Sequence, residues 1–164
     1  MKKLIVSIAA MIALVGISGS ALAEEAGVYW GKWEQGKADG VVPPCGIDVS
    51  VLGGDAILQA TVDTYCAINP GKYESYINPA VIKIYNARGS DYPDGKTGVL
   101  VFKDIGVAFT TSHKDGKPVY DAISMKDGTS VASEKKGHPL NPETCATCHN
   151  SFDGACVGYV CGNR

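Results

Sequence analysis

The chain has 164 residues, of which 45% are hydrophobic and 20% charged, with six cysteines and a formal net charge of −2. This length is enough for one domain with a hydrophobic core and too short for two domains of ordinary size. The slight acidic excess argues against nucleic-acid binding, which needs a basic surface.

The N-terminal segment predicts an export signal. Two lysines precede an apolar run over residues 4–17, and Ala21-Leu22-Ala23 has the small-x-small pattern of a cleavage site. We therefore expect a signal peptide over residues 1–23, no stable membrane insertion after cleavage, and a periplasmic single-domain chain over residues 24–164. Cleavage reduces the basic residues from 15 to 13 against 17 acidic ones, so the expected net charge is −4.

Two helices are predicted in the first half of the exported chain. Asp55 is a suitable N-cap, and apolar residues recur at helical spacing over residues 56–66. Asn78 can cap a second helix, Pro79 suits its first position and Gly89 can end it.

The segment between residues 93 and 128 is typical of antiparallel strands. Val99-Leu100-Val101-Phe102 predicts a buried strand. Residues 107–111 and 118–125 flank Asp115-Gly116, a dipeptide that favours the tight turn of a β-hairpin. His113 is expected to be exposed near the hairpin tip. These elements favour an α+β fold that is mostly antiparallel β-sheet with a few short helices.

A five-residue motif near the C-terminus carries the strongest functional signal. Cys145-Ala146-Thr147-Cys148-His149 is C-x-x-C-H, the attachment signal of a c-type haem. Each thiol can add to one vinyl group of the porphyrin, and the histidine can be an axial ligand of the iron. A zinc site would need two more ligands, and a thioredoxin-like dithiol would need no histidine here. We therefore predict one covalently attached haem c, bound by Cys145, Cys148 and His149.

The position of this motif also predicts its local structure. Asn141 and Pro142 suit the cap and first position of a helix that carries the motif, so we expect a C-terminal haem-binding helix. Small electron-carrier cytochromes usually carry the motif near the N-terminus, and four-helix cytochromes have no strands. Neither architecture agrees with strands followed by a C-terminal motif.

Four cysteines remain after the motif has taken two. Three pairings are open for Cys45, Cys66, Cys156 and Cys161 in an oxidising compartment. We favour disulfide bonds Cys45–Cys66 and Cys156–Cys161, because each closes a short loop and the second would hold the tail beside the haem. The alternative is that these thiols ligate iron or copper.

Three sequence blocks occur in the order found in a known family. They are residues 76–89, with Tyr-Ile-Asn-Pro before a helix; residues 93–105, with Pro-Asp-Gly before a hydrophobic strand, Lys and Asp; and residues 125–127 together with 140–159. In these blocks the chain resembles the cytochrome P-460 family, which includes the cytochrome c-prime-beta branch. The resemblance implies a mostly antiparallel sheet with a haem held at one side by a C-terminal helix.

The resemblance also implies an enzymatic alternative. In P-460 enzymes, which oxidise hydroxylamine with associated nitric oxide chemistry, the lysine that ends the hydrophobic strand is bonded to the porphyrin. Lys103 matches that position. Such a bond needs an amine buried against the ring, since burial can lower the pKa of a lysine. The alternative is that Lys103 is a surface lysine at the end of a strand.

The sixth position of the iron would decide the function, because a strong ligand favours electron transfer and an open site favours small-molecule binding. Met125 is a candidate sixth ligand, or else a core residue that shares a strand face with Ile123. His138 is a second candidate, or else faces solvent. If the site is open, four aromatic residues can line an apolar pocket that favours nitric oxide or carbon monoxide, or else pack in the core: Tyr85, Tyr92, Phe102 and Phe109.

We therefore expect a periplasmic mono-haem cytochrome c that carries one electron, docks on a redox partner and binds nitric oxide. The alternative is a hydroxylamine or nitric oxide oxidoreductase with a haem modified by Lys103. A third hypothesis is a subunit whose haem joins others in a larger redox complex or homo-oligomer.

Overall fold

A computed structural model describes residues 29–162. The predicted signal peptide lies outside this range. The described chain forms five β-strands, three α-helices and three short 3₁₀ helices. No helix in this range is both long and apolar enough to cross a lipid bilayer.

The five strands form one antiparallel sheet in the order of the sequence, β1-β2-β3-β4-β5. Consecutive strands are neighbours, so every connection is a hairpin or a longer loop that returns to the adjacent position. The predicted α+β class with an antiparallel sheet is confirmed. The strands are β1 (Glu34–Val41), β2 (Lys72–Ile77), β3 (Gly95–Phe102), β4 (Val107–Lys114) and β5 (Lys117–Ser124).

The hairpin between β4 and β5 forms as predicted. Its two turn residues, Asp115 and Gly116, have φ angles of 52° and 70°, and Lys114 pairs with Lys117. Because the turn is only two residues long, β4 extends past His113, whose side chain is 4% exposed. The prediction that His113 lies exposed at the tip is therefore wrong.

Two of the three α-helices begin where the sequence predicts. They are α1 (Ala56–Tyr65), α2 (Ile82–Asn86) and α3 (Pro142–Ser151). The Asp55 carboxylate accepts hydrogen bonds from the backbone N–H groups of Ile57 and Leu58 at the start of α1. The Asn141 side chain likewise accepts from the Glu143 N–H at the start of α3. Both caps satisfy donors that a helix N-terminus leaves unpaired.

Helix α2 is shorter than predicted. The side-chain oxygen of Asn78 accepts from the Ala80 N–H, but the helix begins only at Ile82. The Asn78 backbone N–H donates to the Thr97 carbonyl, and its amide donates to the Lys96 carbonyl. These bonds to β3 hold Asn78 at the end of the sheet, so it stabilises a turn before the helix.

Alternating residues of the sheet face two different environments. The face covered by α1 and α3, here called the inner face, carries the cross-strand row Ser75, Leu100, Phe109 and Ala122. The other face, here called the outer face, carries Glu74, Val101, Ala108 and Ile123. Trp30 and Trp33 pack on the outer face.

The favoured disulfide pairing is confirmed. Cys45, in the loop after β1, is bonded to Cys66 at the end of α1. Cys156 is bonded to Cys161 in the segment after α3. With all four sulfurs in disulfides, none offers the thiolate that iron or copper would need.

Candidate cofactor site around the C-x-x-C-H motif

A cavity of ≈ 240 Å³ lies between the inner face of the sheet, helices α1 and α3, and the C-terminal segment. Most of its wall is apolar, and Cys145, Cys148 and His149 all contribute to it. The structure therefore brings the three residues of the motif to one concave site, which is the usual shape of a cofactor pocket.

Helix α3 explains how the motif reaches this cavity. Cys145 and Cys148 are three residues apart and Cys145 and His149 four apart, so their side chains share one helix face. That face packs on the inner-face core, where Cys145 contacts the cluster that includes Phe102, Phe109 and Ala122. The Asn141 cap and Pro142 fix where the helix begins, so that the whole motif lies within it.

The two thiols lie in an environment that disfavours charge. Burial raises the pKa of Cys145 to about 11, and burial also raises the pKa of Cys148. At neutral pH both are therefore protonated thiols, whereas thiolate metal ligands and catalytic thiolates need a low pKa. A neutral thioether, in contrast, suits this apolar wall.

The ring of His149 is held by one backbone hydrogen bond. Its Nδ1 atom lies 2.8 Å from the Tyr159 carbonyl oxygen. Because a carbonyl only accepts, Nδ1 carries the proton and Nε2 keeps a free lone pair. Burial lowers the pKa of His149, which favours the same neutral ring. The imidazole is thus prepared to ligate a metal through Nε2.

No protein-family model, curated protein or solved structure matches this chain. The resemblance to the P-460 family therefore rests on the sequence blocks and stays a prediction.

Aromatic rings fill the side of the cavity formed by α1 and the sheet. Tyr65 of α1 lies 5.2 Å from Phe102 and 5.3 Å from Phe109, measured between ring centroids. Phe102 lies 5.4 Å from Phe109 and 6.0 Å from Tyr73. Phe102 and Phe109 line this cavity and also belong to the buried core cluster, so both alternatives offered for them hold at once.

Tyr85 and Tyr92 do not reach this cavity. They pack with Ile77, Val81 and Val160 in a separate cluster at the end of the sheet. Tyr85 lies on α2 and Tyr92 in the loop after it. Both therefore pack at the end of the sheet where Ile77 ends β2.

The structure places Lys103 away from the cavity. Its Nζ donates a 2.7 Å hydrogen bond to Glu74, which is an outer-face residue, and its side chain is 59% exposed. That bond raises the pKa of Lys103, whereas a bond to the porphyrin needs a buried and deprotonated amine. Phe102 ends β3 on the inner face, and Lys103 follows it towards the other side.

Met125 and His138 also lie elsewhere. Met125 packs with Trp30 and Ile123 on the outer face, so the sheet separates it from Cys145. Met125 lies in the turn after β5 and not on the strand, but it packs in the same cluster as Ile123, as the core alternative predicted. His138 accepts a 3.1 Å hydrogen bond from the Leu140 N–H through Nδ1, in the turn before α3, and is not among the residues that line the cavity.

Sequence reasoning missed three contributors to the site. Tyr65 and Tyr120 line the cavity, and the Tyr120 ring lies 4.8 Å from that of His149. The Tyr120 hydroxyl is buried without a hydrogen-bond partner in residues 29–162. Alternation in β5 with inner-face Ala122 would have indicated Tyr120, but no side-chain pattern indicates the carbonyl of Tyr159.

The contacts do not support a metal site built from His149 and the C-terminal cysteines. His149, Cys156 and Cys161 have ligand atoms within 4.8 Å of one another. Because the two sulfurs are bonded to each other, only the imidazole is left as a ligand. The motif cysteines are the free thiols of the described chain.

Proposed function

We propose that this protein is a periplasmic mono-haem c-type cytochrome that carries one electron and binds nitric oxide. The observation that carries this proposal is the placement of Cys145, Cys148 and His149 around one apolar cavity, with His149 Nδ1 held by the Tyr159 carbonyl. This is the donor set of a haem c, presented on one helix face with the histidine tautomer already selected.

The residues of the cavity fit a covalently attached haem. The Cys145 and Cys148 sulfurs would form the two thioethers, and His149 Nε2 would be the axial ligand. The unpaired hydroxyl of Tyr120 is a polar group that a bound partner would satisfy. The haem would supply an iron that alternates between the ferric and ferrous states.

The wall of the cavity would leave an iron held by His149 accessible to a small molecule. Among the described residues that line it there is no methionine, no lysine and no histidine other than His149. The lining tyrosines include Tyr65 and Tyr120, and burial raises the pKa of both hydroxyls, which disfavours the phenolate that would ligate iron. The aromatic cluster of Tyr65, Phe102 and Phe109 offers no charge to stabilise a bound anion. Such a pocket favours a small uncharged molecule such as nitric oxide.

Two features support electron carriage outside the cytoplasm. Cys148 lines both the cavity and a more open groove of ≈ 480 Å³ between α1 and α3, so a group bonded to its sulfur would lie close to solvent. Electron exchange with a partner needs such access. The two disulfides favour an oxidising compartment, as does the predicted export signal.

The hydroxylamine-oxidising alternative lacks a supporting contact in the described chain. It depends on Lys103, whose ammonium is bonded to Glu74 on the outer face. The proposal therefore does not include a lysine-modified porphyrin.

The optical spectrum of the exported protein tests the proposal. We expect a haem that stays bound after denaturation, a high-spin spectrum after reduction with dithionite, and a large change of that spectrum when nitric oxide is added. Replacement of both motif thiols, Cys145→Ser with Cys148→Ser, should abolish the covalent attachment.

Met125→Leu is the matched control. It removes the methionine that the sequence offered as a sixth iron ligand, and this residue lies on the outer face, away from the cavity. Its spectrum should equal that of the unchanged protein. A sharp low-spin spectrum that does not change when nitric oxide is added would contradict the binding of nitric oxide at the iron. A protein without covalent haem would contradict the proposal as a whole.

A further inference from the structure

The carbonyl that holds His149 belongs to an unusual stretch of backbone. Gly158 and Tyr159 have φ angles of 60° and 65°, so two consecutive residues adopt the left-handed region. For a tyrosine this conformation is unfavourable and persists only where the surroundings enforce it. The Tyr159 carbonyl points to His149 because of this turn.

A buried histidine outside the motif is hydrogen-bonded to the turn. The Nε2 atom of His113 lies 3.1 Å from the Gly158 carbonyl oxygen, and its Nδ1 lies 2.7 Å from the Thr97 hydroxyl. Since the carbonyl only accepts, Nε2–H donates to Gly158 and Nδ1 accepts from Thr97. Burial lowers the pKa of His113, which agrees with this neutral tautomer.

The neighbours of His113 fix its ring. Tyr92 stacks on it with ring centroids 4.9 Å apart and planes 22° apart. Thr97 is buried where the register of β3 against β4 shifts between Lys96 and Gly98. This irregularity brings the Thr97 hydroxyl to the ring of His113, so both nitrogens of a deeply buried histidine are satisfied.

Three further contacts restrict the turn itself. A Cβ atom at Gly158 would lie 2.6 Å from Tyr92 Cε2 and 2.9 Å from Ser90 Cα, so only glycine allows this close approach. Arg88 donates a 2.7 Å hydrogen bond to the Gly154 carbonyl. The disulfide between Cys156 and Cys161 closes the loop that contains the turn.

We propose that His113 is a positioning residue that holds the Gly158-Tyr159 turn and thereby tunes the iron ligand His149. The contacts run from Thr97 through His113 to Gly158, and from Tyr159 to His149. A hydrogen bond from Nδ1 makes an axial imidazole a stronger electron donor, which stabilises the ferric state. This inference rests on the proposed haem site and extends it by a residue outside the motif.

The test replaces His113 in the haem-loaded protein. His113→Phe keeps a flat ring against Tyr92 and removes both hydrogen bonds. We expect the midpoint potential of the haem to rise, and the His149 Nδ1 proton to exchange faster with solvent in the reduced, carbon monoxide-bound protein. His113→Gln, which can again donate to Gly158, should recover part of both changes.

Val101→Ala is the control, because it weakens the core on the outer face without touching the turn. It should lower the stability and leave the potential unchanged. An unchanged potential in folded His113→Phe would overturn the inference. If that variant does not fold, Thr97→Val is tested in its place, since it removes the hydrogen bond to His113 Nδ1 with little change of shape. An unchanged midpoint potential in Thr97→Val would equally overturn the inference. Absence of haem from the unchanged protein would instead refute the proposed function.

Discussion

The inner and outer faces of the sheet are built by the same strands and differ in kind. On the inner face, Phe102 and Phe109 border a cavity that also receives the motif of α3. On the outer face, Val101 and Ile123 pack in one cluster with Trp30. Successive side chains of a strand point to opposite faces of the sheet. Two neighbouring residues can therefore lie one at the cavity and the other in the outer-face core.

This difference assigns different roles to residues of similar chemistry. The alternation places Phe102 at the cavity and its neighbour Val101 in the outer core, although both are almost fully buried. Likewise Ala122 faces the inner core and Ile123 the outer one. Burial alone therefore does not indicate function here, whereas the face does.

The largest effect on stability is expected when an aromatic side chain of the inner face is replaced by alanine. Phe102 is fully buried, with 0% of its surface exposed, so Phe102→Ala should lower the free energy of unfolding by about 3–5 kcal/mol. It should also enlarge the cavity and speed nitric oxide binding to the reduced protein. Urea unfolding and stopped-flow mixing measure the two effects.

Val101→Ala sharpens the comparison, because the side chain lies next to Phe102 but on the outer face. It should cost about 2 kcal/mol of stability and leave the rate of nitric oxide binding unchanged. Equal binding rates in the two variants would mean that the inner face does not form the ligand pocket.

Local patterns were enough to predict many of these features. Asp55, Asn141 and the Asp115-Gly116 turn each act within a few residues of chain, and all three form as predicted. The disulfide partners followed from short loops in the same way. The apolar character of Phe102 and Phe109 predicted that they would pack in the core or line a pocket, and they do both.

Long-range contacts explain what the sequence did not reveal. His113 is buried because segments 16 and 45 residues away meet it, through Thr97 and Gly158. The bonding partner of His149 is a backbone carbonyl, which has no sequence signature. Lys103 was matched by its position after a strand, but only the fold shows that Glu74 lies beside it.

An intermediate effect is expected from the two disulfides, which lie at opposite ends of the described chain. Removing Cys45–Cys66, with a separation of 21 residues, should cost about 3 kcal/mol, and removing Cys156–Cys161, with a separation of 5, about 2 kcal/mol. Only the second closes the loop that contains the Tyr159 carbonyl, so only its removal should raise the midpoint potential of the proposed haem.

Double cysteine-to-alanine variants, examined by urea unfolding and by redox titration, give both values. Each variant is the control for the other, since the more destabilising one should leave the potential unchanged. A shift of the potential that follows the loss of stability in both variants would contradict a specific role of the C-terminal loop.

The smallest effect is expected at Lys103, whose ammonium is bonded to Glu74 on the outer face. Lys103→Gln removes the ammonium that donates to Glu74, and this bond is the main cause of the lowered pKa of the Glu74 carboxyl group. The pKa of Glu74 should therefore rise, which an NMR titration of its side chain would show. Because a carboxylate with a lowered pKa stabilises the fold above its unfolded pKa, the variant should lose this contribution at neutral pH and differ less from the unchanged protein in acid. The position of the Soret band should stay the same, because the ammonium lies away from the cavity. A shift of that band in Lys103→Gln would mean that the lysine reaches the haem, and would restore the enzymatic alternative.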